Sequence, residues 1–153
     1  VCSSDLMNTN VVAGMALTGL ATPYLEKQGG AVLFIGSVHT RRAFPGASPY
    51  AATKGAVETL SQVLAAELGP KGIRVNCLLP GAVPTEINVR AGIASNAQEN
   101  FARLQSMTPE HPLGRIGTPQ DIAEAADYLM RAGWTTGTSI VVDGGLALGV
   151  TNK

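Results

Sequence analysis

The chain has 153 residues, 45% of them hydrophobic and 14% charged, with 18 glycines. That is enough apolar material for the core of one domain, and too little charge for a disordered or coiled-coil chain. Eleven basic residues balance eleven acidic ones, so no global field points to nucleic acid or an anionic membrane as a partner.

Val1-Cys2-Ser3-Ser4-Asp5-Leu6 opens the chain without methionine and matches a translation of the end of a common sequencing-adapter oligonucleotide. Residues 1–6 are expected to be a non-native leader, and residues 7–153 the C-terminal part of a single domain; the alternative is a genuine segment cut from a longer protein. In both readings the chain begins inside an amphipathic helix. From Met7 to Lys27 the residues Val11, Met15, Leu17, Leu20, Tyr24 and Leu25 recur at helical spacing, and Gly29-Gly30 stops that helix. Ala31–Ile35 is a short continuous apolar run, as expected of a strand buried on both faces. A loop over residues 37–48 carries Arg41, Arg42, Pro45 and Gly46, the two arginines reading as solvated surface residues or as an attraction for an anionic substrate. Ser48 as cap, or Pro49 in the first turn, then opens a second helix that runs to Leu68 and stops at Gly69-Pro70.

Ile73 to Leu79 is the next expected strand, closed by Pro80-Gly81. Residues 85–112 are polar and irregular, and predict one or two short helices over a site. Thr118-Pro119-Gln120-Asp121 is a cap followed by proline at the first helical position, and opens the last helix. Thr138 to Val142 is the final strand, followed by Asp143-Gly144-Gly145. Strands separated by helices of this length imply an α/β fold with parallel pairing and right-handed crossovers. Cys2 and Cys77 make neither a disulfide framework nor a zinc site, and Cys77, inside an apolar run, reads as a buried inert thiol. There is no signal peptide and no apolar stretch of membrane-spanning length, so the expectation is a soluble protein of the reducing cytoplasm.

Tyr50 and Lys54 are four residues apart on the second helix and share one face. A free tyrosine, with a pKa of about 10, is a poor base at neutral pH; a nearby ammonium favours the phenolate. A tyrosine so tuned can take a proton from an alcohol, or return one to a carbonyl, as hydride moves to or from a nicotinamide. Ser37, at the end of a strand, is placed to hydrogen-bond the same substrate oxygen. Taken singly these residues also read as a packed aromatic, a solvated helix lysine and a turn cap. The spacing alone is a weak signal.

The surroundings strengthen it. Ile35-Gly36-Ser37 is followed thirteen residues after the serine by Tyr50-Ala51-Ala52-Thr53-Lys54-Gly55-Ala56. Leu64-Ala65-Ala66-Glu67-Leu68, Gly72-Ile73-Arg74-Val75-Asn76, the turn Pro80-Gly81-Ala82-Val83-Pro84-Thr85, Gly114-Arg115, Asp121-Ile122-Ala123 and Val142-Asp143-Gly144-Gly145 come after it in order. From Met7 to Gly145 the chain resembles the short-chain dehydrogenase/reductase family, whose fold is a doubly wound parallel sheet of the Rossmann type. The resemblance implies an NAD(P)-dependent oxidoreductase interconverting a secondary alcohol and a ketone, with NAD or NADP as cofactor. Tyr50 would be the general acid/base. Lys54 would lower its pKa and hold the nicotinamide ribose, and Ser37 would orient the substrate carbonyl. Asn10 matches the helix asparagine that anchors a water between Lys54 and a proton relay, with Asn8 close by. Pro80, Gly81, Val83 and Thr85 would shape or contact the nicotinamide side, Pro80-Gly81 reading also as plain strand punctuation.

On the substrate side, His39 follows Ser37 by two residues and reads as a pocket residue or a solvated loop histidine; Asn88 opens the lid. Ser-Val-His and Pro-Gly-Ala-x-x-Thr-x-Ile-Asn are similar to glucose dehydrogenases of the family, while the architecture fits β-ketoacyl-carrier-protein reductases equally well. The family's glycine-rich phosphate loop has no match in this sequence, and the loop is what binds the pyrophosphate. The chain alone is therefore expected to be poorly soluble and inactive, a non-catalytic dinucleotide-fold fragment being the alternative. With a small carbonyl or alcohol as substrate, the full-length protein would be a homodimer or homotetramer joined through the Met7–Lys27 and Ser48–Leu68 helices.

Overall fold

A computed structural model describes residues 3–151; Val1 and Cys2, within the expected leader, lie outside the described residues. Helix α1 (Ser3–Met7) includes Ser3 to Leu6 of that leader. It continues through a π-helical turn (Asn8–Val12) into α2 (Ala13–Leu25). The expected helix from residue 7 to 27 is thus present, starting earlier, ending two residues sooner and carrying one wide turn. In that turn the Ala13 N–H donates to the Asn8 carbonyl, five residues back.

Strand β1 (Ala31–Ile35) is followed by α3 (Ser48–Leu68), β2 (Arg74–Pro80), two lid helices, α4 (Ile87–Arg90) and α5 (Ala97–Gln105), then α6 (Pro119–Arg131) and β3 (Ser139–Val142). The three strands form one parallel sheet in the order β1-β2-β3, with Ile35 opposite Leu78 and Leu79 opposite Val141. β2 is central, and its residues from Val75 to Leu79 are almost wholly buried, which is why its sequence is a nearly unbroken apolar run. Phe34, Val57, Ala65, Leu68, Ile73, Val75, Cys77 and Leu79 form the main core. Burial holds the Cys77 thiol up at about 11, as an inert core cysteine requires.

β1 departs from the expectation of a strand buried on both faces. Phe34 is buried on one face of the strand, while Ile35, on the other, is half exposed for want of a covering element; β1 lies at the edge of the sheet among the described residues. The start of α3 also differs: Ala47 occupies the cap position without a side-chain bond, and Ser48 is already helical, while Pro49 does sit in the first turn. The last helix opens as expected. The Thr118 hydroxyl accepts from the Asp121 N–H and the Asp121 carboxylate accepts from the Thr118 N–H, a complete capping box. Arg74 donates to the carbonyls of Leu129 and Met130, closing the other end of α6. No helix among the described residues is long and apolar enough to cross a membrane.

Gly81 sits where β2 leaves the sheet, and its N–H donates to the Val142 carbonyl at 2.9 Å. A Cβ there would stand 2.7 Å from the Asp143 Cα and 2.6 Å from its Cβ, too close for backbone to yield without a shift. Gly81→Ala should therefore destabilise the fold by about 2 kcal/mol, read as a lower denaturant midpoint with an unchanged slope; an unchanged midpoint would show that the turn relaxes freely.

Candidate active site

All three parallel strands point the same way, so the segments leaving β1 and β2 emerge at one edge, where open α/β sheets bind their ligands. Ser37 follows β1 and is buried, with only 5% of its surface exposed. Its hydroxyl lies 2.9 Å from His39 Nδ1 and accepts from the His39 backbone N–H at 3.3 Å. The His39 ring packs tilted on Phe44 at 4.5 Å between centroids and edge-on to Tyr50 at 5.1 Å. Tyr50 and Lys54 come from the first two turns of α3, and the Lys54 ammonium stands 5.5 Å from the centre of the Tyr50 ring. Ser37, His39, Tyr50 and Lys54 thus form one cluster.

The electrostatics of the cluster differ from expectation. Burial pushes the Tyr50 phenol above its ordinary value, opposed by a hydrogen bond from Ser37, and the Lys54 ammonium is not directed at the phenol oxygen. Instead, Lys54 Nζ donates to the Ile35 carbonyl at 2.8 Å. Burial also lowers the Lys54 pKa, since taking the ammonium out of water disfavours its charged form. In this state Tyr50 is a protonated acid.

Asn10 lies within the π-helical turn, and its Nδ2 donates to Thr53 Oγ1 at 2.9 Å. Thr53 in turn donates to the Tyr50 carbonyl. The asparagine is therefore fastened to the residue preceding Lys54, and its direct partner is Thr53, where the sequence suggested a water leading to Lys54. Asn8 makes no such bond among the described residues.

Pro80 ends β2, and Gly81, Ala82 and Val83 follow it at the same sheet edge as Ser37. The Gly117 N–H donates to the Ala82 carbonyl. Val83 lines a shallow pocket with Arg115, Gly117, Ile122 and Asp143. Thr85 is exposed, and its hydroxyl accepts from the Ile87 N–H at 3.4 Å. Asn88, expected on the substrate side, donates to Asn100 Oδ1 at 2.8 Å, and buried Asn100 donates to the Thr85 carbonyl. Asn88 thereby fastens α4 to α5.

The arginines of the loop are paired, in contrast to the solvated reading. Arg41 forks onto the carboxylate of Glu58, a buried residue one turn beyond Lys54. Arg42 pairs with Glu110 at 2.6 Å, donates to the Leu146 carbonyl at 3.0 Å and lies over the Phe44 ring. The sequence signalled neither partner, since Glu58 and Glu110 look like ordinary polar residues of a helix and a loop. Phe44, Thr53 and Asn100 were likewise missed; an apolar residue in a polar loop was the available clue to Phe44.

A parallel sheet with helices on both faces, carrying serine, tyrosine and lysine at the carboxyl edge of its strands, defines an open α/β fold of the dinucleotide-binding class. Within that class the chain belongs to the short-chain dehydrogenase/reductase family. Residues 3–147 match the family described as Enoyl-(Acyl carrier protein) reductase. The L-fucose dehydrogenase of Bos taurus is 37% identical over 97% of this chain and 55% of its own length. A protein named inactive 2-(S)-hydroxypropyl-CoM dehydrogenase 2, from Xanthobacter autotrophicus, is 35% identical over 95% of this chain and 62% of its own. A crystal structure of a small-chain dehydrogenase in complex with NADPH superposes with a TM-score of 0.85 at 33% identity, covering 96% of this chain and 64% of that one. The chain thus spans little more than half the length of these curated relatives.

The Tyr50 shift has a direct readout. By difference from Tyr50→Phe, ultraviolet titration should place the Tyr50 phenol above 10.0, the ordinary value, and Ser37→Ala should move it higher by removing the one lowering contact. The folded state holds this proton more tightly than the unfolded state. The associated stability is present below the unfolded value and is lost as pH rises through the folded one. A Tyr50 that titrates below 10.0 would contradict the burial argument.

Proposed function

We propose that these residues are the acid/base part of an NAD(P)-dependent oxidoreductase that interconverts a secondary alcohol and a ketone. The observation that carries this reading is the convergence of a buried serine hydroxyl, a tyrosine phenol and a lysine ammonium at one sheet edge. A protonated Tyr50 is the form needed to give a proton to a carbonyl oxygen, and Ser37 is the donor that steadies the charge growing on that oxygen. In the reverse direction Tyr50 takes the alcohol proton, which requires its phenolate to be favoured.

The residues present fit the nicotinamide half of a dinucleotide. Of the three hydrogens that the Lys54 ammonium can donate, one is used, toward Ile35; the other two suit ribose hydroxyls. Val83 offers an apolar wall, and the turn from Pro80 through Thr85 borders it at the same edge. When bound, the nicotinamide supplies or accepts the hydride. Lys54 turned from Ile35 toward the ribose and Tyr50 is the state in which it lowers the phenol's pKa. Asn10 holds Thr53, and through it the turn of α3 that carries Lys54. NAD and NADP both remain compatible with these residues, as do a small sugar or an acyl substrate.

The phosphate-binding glycine loop has no counterpart in this sequence. The chain by itself should accordingly bind dinucleotide only weakly, and micromolar affinity by titration calorimetry would overturn that part. A non-catalytic reading has one specific support, the relative named as inactive that matches nearly the whole chain. Retention of Ser37, Tyr50 and Lys54 favours the catalytic one. For assembly we propose a homodimer or homotetramer through α2, where Leu17, Leu20 and Tyr24 are largely exposed, and α3; the proposed setting is the cytoplasm.

In the enzyme that carries this sequence, Tyr50→Phe should lower kcat by about 10³-fold, the usual weight of a general acid, with dinucleotide affinity unchanged. Turnover that survives this substitution would remove Tyr50 from the mechanism.

A further inference from the structure

The Ser37 hydroxyl has one hydrogen to give and two lone pairs to fill. One lone pair accepts from the His39 backbone N–H, 3.3 Å away. His39 Nδ1 is 2.9 Å from the same oxygen, and the direction of that second bond decides what the serine can do. If Nδ1 accepts, the serine's only hydrogen is spent on the imidazole and cannot reach a substrate oxygen. If Nδ1 carries the hydrogen and donates, both lone pairs are filled by the histidine, and the O–H is left to point at Tyr50 or at the substrate.

We propose that His39 is a positioning residue that donates from Nδ1 to the Ser37 oxygen and so turns the serine hydrogen toward the reacting oxygen. This rests on the oxidoreductase reading, within which it assigns His39 a task through Ser37 in place of direct substrate contact. The ring is built into its place. Phe44 packs against it at 4.5 Å and Tyr50 meets it edge-on at 5.1 Å. Behind Phe44, the Arg42 guanidinium is anchored by Glu110 and the Leu146 carbonyl. An imidazole held on two sides keeps Nδ1 on the serine. Burial lowers the His39 pKa, consistent with a neutral ring having one N–H to place. The Ser37 hydrogen bond toward Tyr50, which lowers the phenol's pKa, is the arrangement this tautomer leaves available.

The chain has only two histidines, His39 and His111, so ¹⁵N-labelled histidine resonances can be assigned with a single His111→Gln variant. The expected result is His39 with hydrogen on Nδ1 and a bare Nε2 near neutral pH. Hydrogen on Nε2 with a bare Nδ1 would overturn the proposal. Kinetics in the enzyme carrying this sequence give the second arm. His39→Phe keeps the ring contacts and removes the donor; it should lower kcat about 10-fold, the weight of one hydrogen bond, with KM for the dinucleotide unchanged. His39→Asn returns an amide donor near the Nδ1 position and should recover most of that loss. Unchanged kcat in His39→Phe, or failure of His39→Asn to recover any activity that His39→Phe loses, would also overturn it. The two readings fail separately: absence of turnover in the unsubstituted enzyme sinks the oxidoreductase reading, while the tautomer is read from the spectrum regardless.

Discussion

The parallel pairing of β2 with a strand on each side is the constraint from which the site follows. Because β1 and β2 run the same way with Ile35 opposite Leu78, Ser37 and the Pro80–Gly81 turn leave the sheet at a common level. Burial of β2 on both faces fixes this register, since a slip of one residue would exchange the side chains facing α3 with those facing α6. Helix α3 is held against the same strand by Val57, Ala65 and Leu68, which sets the height of Tyr50 and Lys54 above Ser37. The chemistry is thus positioned by apolar packing some distance from it.

Burial gives that geometry and works against the ionised states of Tyr50 and Lys54. A phenol withdrawn from water holds its proton more tightly, and an ammonium withdrawn from water holds its own less tightly. The bond from Lys54 to the Ile35 carbonyl keeps the ammonium satisfied, and aims it at the backbone. Ser37 is left as the group that most directly favours the phenolate. The balance between these contacts, all within one turn of helix and one strand end, sets how tightly the Tyr50 phenol holds its proton.

Much of this was legible in the residues. The strand cores, the glycine stops after α2 and the capping box at Thr118 follow from local rules. Spacing puts Tyr50 and Lys54 on one helix face, while grouping them with Ser37 needed the resemblance carried by the surrounding motifs. What escaped were the features made by contacts between distant segments. Glu58 reads as a surface residue until Arg41 is known to cover it, and Arg42 until Glu110 and Leu146 are known to receive it. Asn88 reads as pocket lining because its partner Asn100 lies twelve residues away in the lid. The π-helical turn at Asn8–Val12 leaves no mark in an apolar periodicity that a plain helix also satisfies.

Arg42 joins three pieces of chain that are far apart in sequence: the loop after β1, the Thr108–Glu110 turn that closes the lid, and the Leu146 turn near the end of the chain. Through Phe44 it also reaches the ring beside Tyr50. A graft that replaces the lid with one from a relative therefore carries a hidden requirement, since the incoming segment must bring a carboxylate where Glu110 stands. Without it, a donor built for two anchors keeps only the Leu146 carbonyl. In any such exchange, the lid and the loop after β1 behave as one module whose boundary runs through Arg42.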